Sequence, residues 1–141
     1  MKILRVIAST NPTHGGPIEG LRQSTAVFTR EGHHTEVVSL DDPKSPWLVD
    51  LPFTVHALGP TSRPYHYAPQ LTAWIRANAG RFDVVIQHGL WNYTAYATGH
   101  ALKGSATPYF CFTHGMLDPW FKRTYPLKHL VKQAFWWVSE G

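Results

Sequence analysis

"KILRVIASTNPTHGGPIEGLRQSTAVF", residues Lys2–Phe28, joins an apolar run to an amphipathic one through small polar residues, prolines, a histidine and two adjacent glycines. The first run, Lys2 to Ser9, is rich in branched apolar side chains and suits a buried strand. Beyond it Ile18, Leu21, Thr25 and Phe28 recur at spacings of three and four, one stripe along a helix that ends at "REGHH". Gly32 there is placed for the left-handed position that closes a helix. Between the two, Gly15 and Gly16 lack a Cβ, so they accept positive φ and let another group approach the backbone. Pro17 suits a first helical turn, where its missing N–H costs nothing. Strand, glycine loop and helix in this order open a βαβ unit.

The alternation continues outward. Strands are expected at Thr35–Leu40, Phe53–Leu58, Asp83–Gln87 and Pro108–Thr113, the last with its proline at the start. Helices are expected from Pro69 to Ala79, with Leu71, Trp74 and Ile75 on one face, across "NYTAYATGHALK", and from about Pro126 onward. "DDPKSPW" and "GPTSRPYHYAP" read as loops. The pattern predicts an α/β fold: one Rossmann-like domain over residues 1–141, a parallel sheet with helices on both faces. Ligands of such sheets bind beyond the carboxyl ends of the strands, so the residues after each strand carry the functional question.

At 141 residues the chain is long enough for one real core. A 43% hydrophobic and 16% charged composition excludes a disordered tail. The net charge of +4 comes from scattered basic residues. It forms no nucleic-acid stripe and at most favours an anionic ligand or peripheral contact with an anionic membrane. No apolar run approaches the roughly 18 residues that span a bilayer. The start, interrupted by Arg5 and without a small-residue cleavage site, does not read as a secretion signal. A single cysteine, Cys111, points to a reducing, cytoplasmic setting, and within "YFCF" it reads as core packing.

The glycine loop has neither the dinucleotide nor the P-loop spacing, and no G-x-S-x-G elbow occurs. Its glycines serve either the geometry of a tight strand–helix turn or a ligand at the helix N-terminus, where open N–H groups and the dipole favour phosphate or carboxylate. "VVIQHGLWNY" and "YFCFTHGMLDPW" share a form: apolar strand, His-Gly, an apolar residue, then an aromatic. His88 and His114 thus stand at strand ends facing the same crevice. Each imidazole can donate to or accept from a hydroxyl there, or simply cap a loop carbonyl. His33 and His34 read as surface, and Asp118 before its proline as the start of a turn. Lys122 and Arg123 suit a phosphate or anionic acceptor, or a solvated face. Trp136 and Trp137 read as contacts for further chain rather than a floor for a sugar. No H-E-x-x-H or close His/Cys pair occurs, so no metal is expected.

The "GGP" loop, the "GHHTEVVSL" passage, "DVVIQHGLW" and "THGMLDPWF" with its lysine-bearing helix and "FW" resemble the amino-terminal half of family 4 glycosyltransferases. The resemblance covers nearly the whole chain. It implies a retaining enzyme of GT-B architecture, with two Rossmann-like domains facing across a cleft. Such an enzyme needs no cofactor and moves a sugar from a nucleotide-sugar donor to a polysaccharide, glycolipid or other lipid-linked acceptor. By position Gly15 and Gly16 would form the donor-diphosphate loop and His114 the catalytic histidine. His88, Trp91 and Asn92 would line the acceptor side, with Lys122 beside them, and positive groups rather than a metal would neutralise the leaving diphosphate. The family's paired glutamates, spaced E-x7-E, have no counterpart among Glu19, Glu31, Glu36 and Glu140. The donor-binding carboxy-terminal domain is therefore expected beyond residue 141, and the chain is expected to be inactive alone. The alternative is a stand-alone acceptor-binding or interaction module paired with a separate donor-binding polypeptide. Acceptor choice would rest with the loops at 47–51 and 62–67.

Overall fold

The computed structural model describes residues 1–62 and 65–139, with the side chains of Phe121, Lys122, Pro126, His129, Val138 and Ser139 outside the described set. Strands β1 (Lys2–Ile7), β2 (His34–Ser39), β3 (Thr54–Ala57), β4 (Val84–His88) and β5 (Tyr109–Phe112) form one sheet in the order β3-β2-β1-β4-β5. Every pairing is parallel; Val6 lies beside Val38 and Gln87, and His88 beside Phe112. The chain builds the sheet outward from β1 in one direction and then, from β4, in the other. The reversal falls between β1 and β4, and the loops leaving those strands diverge there to open a crevice.

Five helices connect or follow the strands: α1 (Gly16–Arg30), α2 (Pro69–Asn78), α3 (Tyr93–Leu102), α4 (Pro119–Thr124) and α5 (Pro126–Ser139). Side chains along β1 alternate between faces. Leu4 and Val6 join Val38 and Val85 in packing against Leu71 and Ile75 of α2 and Ala97 and Ala101 of α3. Ile7 and Val37 meet Leu21 of α1 on the opposite face. Helices thus cover both faces of a Rossmann-like parallel sheet. Leu4, Leu21, Leu71 and Ile75 are wholly enclosed. Truncating any of them to alanine removes contacts worth about 2–5 kcal/mol.

Apart from short 3-10 turns at Pro12–His14, Pro46–Leu48 and Ala79–Arg81, expected and observed elements differ at two places. "DPWFKRT" contains a short helix, α4, because the Asp118 carboxylate accepts from the Trp120 N–H at 2.8 Å and Pro119 needs no partner in a first turn. The second difference is a correction. Cys111 within "YFCF" reads as core packing, yet β5 is an edge strand. Tyr109, Phe110 and Phe112 are exposed, and so is Cys111, which is not core packing. A continuous apolar run does not distinguish a central strand from an edge whose cover comes from elsewhere.

Candidate functional site

The loop after β1 ends at Gly15, with φ 72° and ψ −131°, a conformation that favours glycine. Gly16 opens α1, and a Cβ on either glycine would meet nothing within 4 Å. Gly15 is therefore required by its backbone angle, whereas Gly16 leaves open space. No side chain caps α1; in its first turn Pro17 has no N–H and the Glu19 N–H donates to the Gly15 carbonyl, which leaves the N–H groups of Gly16 and Ile18 without a side-chain cap. The loop is tied to the sheet by Asp41, buried at the end of β2. One carboxylate oxygen, Oδ2, accepts from Thr10 N–H at 2.8 Å, Thr10 Oγ1 at 2.7 Å and Ser39 Oγ at 2.8 Å. The other accepts from Ser9 Oγ at 2.5 Å.

Across the crevice, His88 ends β4 and His114 follows β5. His88 is buried; its Nδ1 lies 2.9 Å from Nε2 of His114, and its Nε2 lies 3.3 Å from a guanidinium nitrogen of Arg5. The imidazole centroids are 5.1 Å apart with 22° between planes. That is an in-plane, edge-to-edge hydrogen bond, since a face-to-face stack with so short an N···N contact would bring the centroids closer. Burial, then the charge of Arg5, then His114 push the His88 pKa down to about 3. His114 is exposed, but its Nε2 edge turns inward and burial of that edge lowers its pKa. Its φ of 49° puts a non-glycine residue in the left-handed region, followed by Gly115 at φ 75°. Strain of this kind is held in place by its surroundings and clusters at working sites.

A cavity of about 200 Å³ at the β1/β4 reversal is lined by His14 and Pro17, which flank the glycine pair, and by His88, Asn92 and His114. The structure thus brings the glycine loop and both histidines to one rim. Asn92 lies there too, but its Oδ1 caps α3 by accepting from Ala95 N–H at 3.2 Å and Thr94 Oγ1 at 2.6 Å. Trp91 lines a different cavity, of about 370 Å³, with Leu117, Trp136 and Trp137, and carries the Lys132 ammonium 4.0 Å over its ring. The Lys122 side chain lies outside the described residues. Arg63 and Pro64 of the loop at 62–67 lie outside them as well.

Three residues of the site escape the sequence reading. Asp41 looks like one of several loop acids, and Arg5 like an interruption in an apolar strand. Gln87 is fully enclosed; its amide donates to the carbonyls of His88 and Gly89 and to Thr94 Oγ1, and its oxygen accepts from Thr98 Oγ1. It clamps the His-Gly turn onto α3. The only available signal for each was a polar residue inside a strand or at its end, where burial demands a partner. Among the described residues no group of three or more His, Cys, Asp or Glu could hold a metal, and no helix is long and apolar enough to cross a membrane.

A doubly wound parallel sheet with its crevice at the strand reversal and a glycine loop at a helix N-terminus is a Rossmann-like α/β fold. The model of the glycosyl transferase 4-like domain matches residues 15–140, and the chain belongs to that family. No curated protein sequence matches it significantly. Among solved structures, one from Listeria monocytogenes assigned as a UDP-N-acetylglucosamine 2-epimerase is similar with a TM-score of 0.59 and 15% identity, over 94% of this chain and 35% of that one. A glycosyltransferase from Rickettsia africae ESF-5 is similar with a TM-score of 0.56 and 16% identity, over 88% of this chain and 33% of the other. The chain spans about a third of the length of these structures.

Proposed function

We propose that this chain is the acceptor-side half of a retaining glycosyltransferase, moving a sugar from a nucleotide-sugar donor to a polysaccharide or glycolipid acceptor. The observation that carries the reading is the meeting of His14 and Pro17, which flank the glycine pair at the uncapped N-terminus of α1, with His114 on one cavity. In this reading the donor diphosphate approaches Gly16, where no side chain intervenes, and accepts from the first-turn N–H groups. The dipole of α1 adds about 0.3–1 kcal/mol of stabilisation for that negative charge. His114, kept neutral, hydrogen-bonds a sugar hydroxyl at the cleft. The bond from the anomeric carbon to the phosphate oxygen breaks as the acceptor oxygen bonds on the same face. The acceptor's hydroxyl proton passes to the departing phosphate oxygen, and the nucleoside diphosphate leaves. His88 is too enclosed to lead and acts through His114, while Asn92 on this cavity, Trp91 on the neighbouring one and Lys122 are proposed for the acceptor side.

A crevice closed on one side neither excludes water nor holds both substrates, so transfer in this reading requires a donor-binding domain, on the same polypeptide or a separate one. A cytoplasmic setting, with peripheral contact to a membrane that carries a lipid-linked acceptor, is part of the same proposal. It rests on the nucleotide-sugar substrate and the single cysteine. The test supplies a donor-binding domain, fused or in trans, and follows transfer from a panel of nucleotide sugars. Transfer should need both halves and fall by about 10²-fold or more in His114→Ala. Undiminished transfer in both His114→Ala and Gly16→Val would overturn the assignment.

A further inference from the structure

We propose that Arg5 is a positioning residue that fixes the protons of both site histidines, leaving His114 its only ring proton on Nδ1. Arg5 sits in the middle of β1, 3% exposed, on the face covered by α1, with its guanidinium 5.3 Å from the centre of the Phe28 ring. Among the described residues no carboxylate pairs with it. A buried guanidinium without a counter-charge is costly to keep. Its use is therefore sought in what it touches. The protein group it meets is Nε2 of His88.

The chain of protons follows from donor and acceptor capacity alone. A guanidinium has N–H groups and no acceptor, so Nε2 of His88 must be the lone-pair nitrogen. A neutral His88 then carries its proton on Nδ1 and donates it across 2.9 Å to Nε2 of His114. Nε2 of His114 is thereby an acceptor, and the His114 proton resides on Nδ1. The reverse polarity fails. With His114 donating from Nε2, His88 would either aim an Nε2–H at the Arg5 N–H or hold no proton at all.

Charge around the trio supports the same inventory. One of the two cavities that flank it is lined by Ser24 and Phe28 of α1, Ile86 of β4 and Phe112 of β5, the other by His14, Pro17, Asn92 and Met116; among the described residues His14 is the only further titratable group lining either. Among the described residues no acid lines those cavities to favour an imidazolium, and Arg5 opposes one directly. The consequence for the site rests on the glycosyl-transfer reading. His114 offers a ligand a hydrogen-bond donor, suited to a lone pair on a hydroxyl or phosphate oxygen. It does not offer Nε2 as a base.

The test reads tautomers rather than turnover. The full 141-residue chain, labelled with ¹⁵N, is examined at neutral pH by long-range ¹H–¹⁵N correlation of the imidazoles. Both His88 and His114 should be neutral and protonated on Nδ1. In Arg5→Met the single pattern should give way to a mixture of tautomers and the apparent His88 pKa should rise; Arg5→Lys, which keeps a cationic donor, should restore much of the pattern. A second pair covers the case in which Arg5→Met does not fold. His88→Gln supplies a carbonyl for Arg5 and an N–H for His114 and should retain Nδ1–H on His114, whereas His88→Leu should release it. His114 protonated on Nε2 in the unsubstituted chain would overturn the proposal, as would unchanged tautomers in a folded Arg5→Met or in His88→Leu. None of these readings involves a sugar. Loss of the transfer hypothesis would leave the proton inventory standing, and the reverse holds too.

Discussion

Replacing Asp41 by alanine should unfasten the glycine loop, and the cost can be worked from the bonds it makes. Its carboxylate accepts from Thr10 N–H, Thr10 Oγ1, Ser39 Oγ and Ser9 Oγ. Thr10 and Ser39 are fully buried, so three of those donors lose their acceptor out of reach of bulk water. Ser9 is only partly buried and its hydroxyl can turn to solvent. The backbone N–H of Thr10 cannot turn. An orphaned buried donor costs about 1–3 kcal/mol, and hydroxyls that rotate cost toward the lower end. The sum for Asp41→Ala is about 3–5 kcal/mol, part of it offset because a carboxylate no longer has to be desolvated. Asp41→Asn keeps one carbonyl for Thr10 N–H and should lose only about 1–2 kcal/mol. Urea unfolding of the three proteins measures the differences, and amide exchange over residues 10–16 reports whether the loop loosens before the sheet does. A loss below about 1 kcal/mol in Asp41→Ala, with loop protection intact, would mean that the carboxylate does not anchor the loop.

Gly59→Ala should destabilise by about 1–3 kcal/mol, visible as a lower melting temperature, because the added Cβ collides with the Leu40 carbonyl and lies 2.7 Å from that of Asp41; an unchanged melt refutes this. Gly15→Ala should cost about 1–3 kcal/mol for its backbone angle, while Gly16→Ala, entering a helix into open space, should be neutral or stabilising by about 0.5 kcal/mol; equal effects would contradict the different roles of the two. His88, lowered to about 3, binds its proton in the unfolded chain first. Its stability contribution is complete above the unfolded value near 6.5 and is lost as pH falls toward 3, at about 1.4 kcal/mol per unit. His88→Gln should flatten that slope between pH 6.5 and 5, above the range of carboxylates such as Glu36. Burial raises the Glu36 pKa, but the bond and charge of His56, with Arg81 and His34, outweigh it and hold the carboxyl below its ordinary range; parallel slopes in the two proteins would refute the His88 assignment.

The sheet and its helices were legible because local periodicity and core burial coincide. Ile18, Leu21 and Thr25 are spaced for a helix and are the residues of α1 that lie buried. "DVVIQ" reads as a strand and is one, with β1 on one side and β5 on the other. The same reasoning misplaced Cys111, since an apolar strand looks alike whether or not a neighbour covers it. Of the site, the glycine pair and both histidines could be found because strand ends announce themselves. Arg5, Asp41 and Gln87 could not, because their meaning lies in partners such as His88, Thr10 and Thr98, which are remote in sequence or unmarked by any spacing. Trp91 shows the converse. It follows the first His-Gly turn closely, yet its φ of 59° accompanies a ring placed in a different cavity.

The reversal of strand order between β1 and β4 separates inheritance from novelty in this molecule. The segments that meet at the crevice leave the sheet at three distant points in the chain, and each can lengthen, shorten or change chemistry without altering the ladder beneath it. A lineage built on this scaffold can adopt a new ligand by editing one connection at a time, and the record of such changes should be written in the loops while β1 and β4 stay nearly silent.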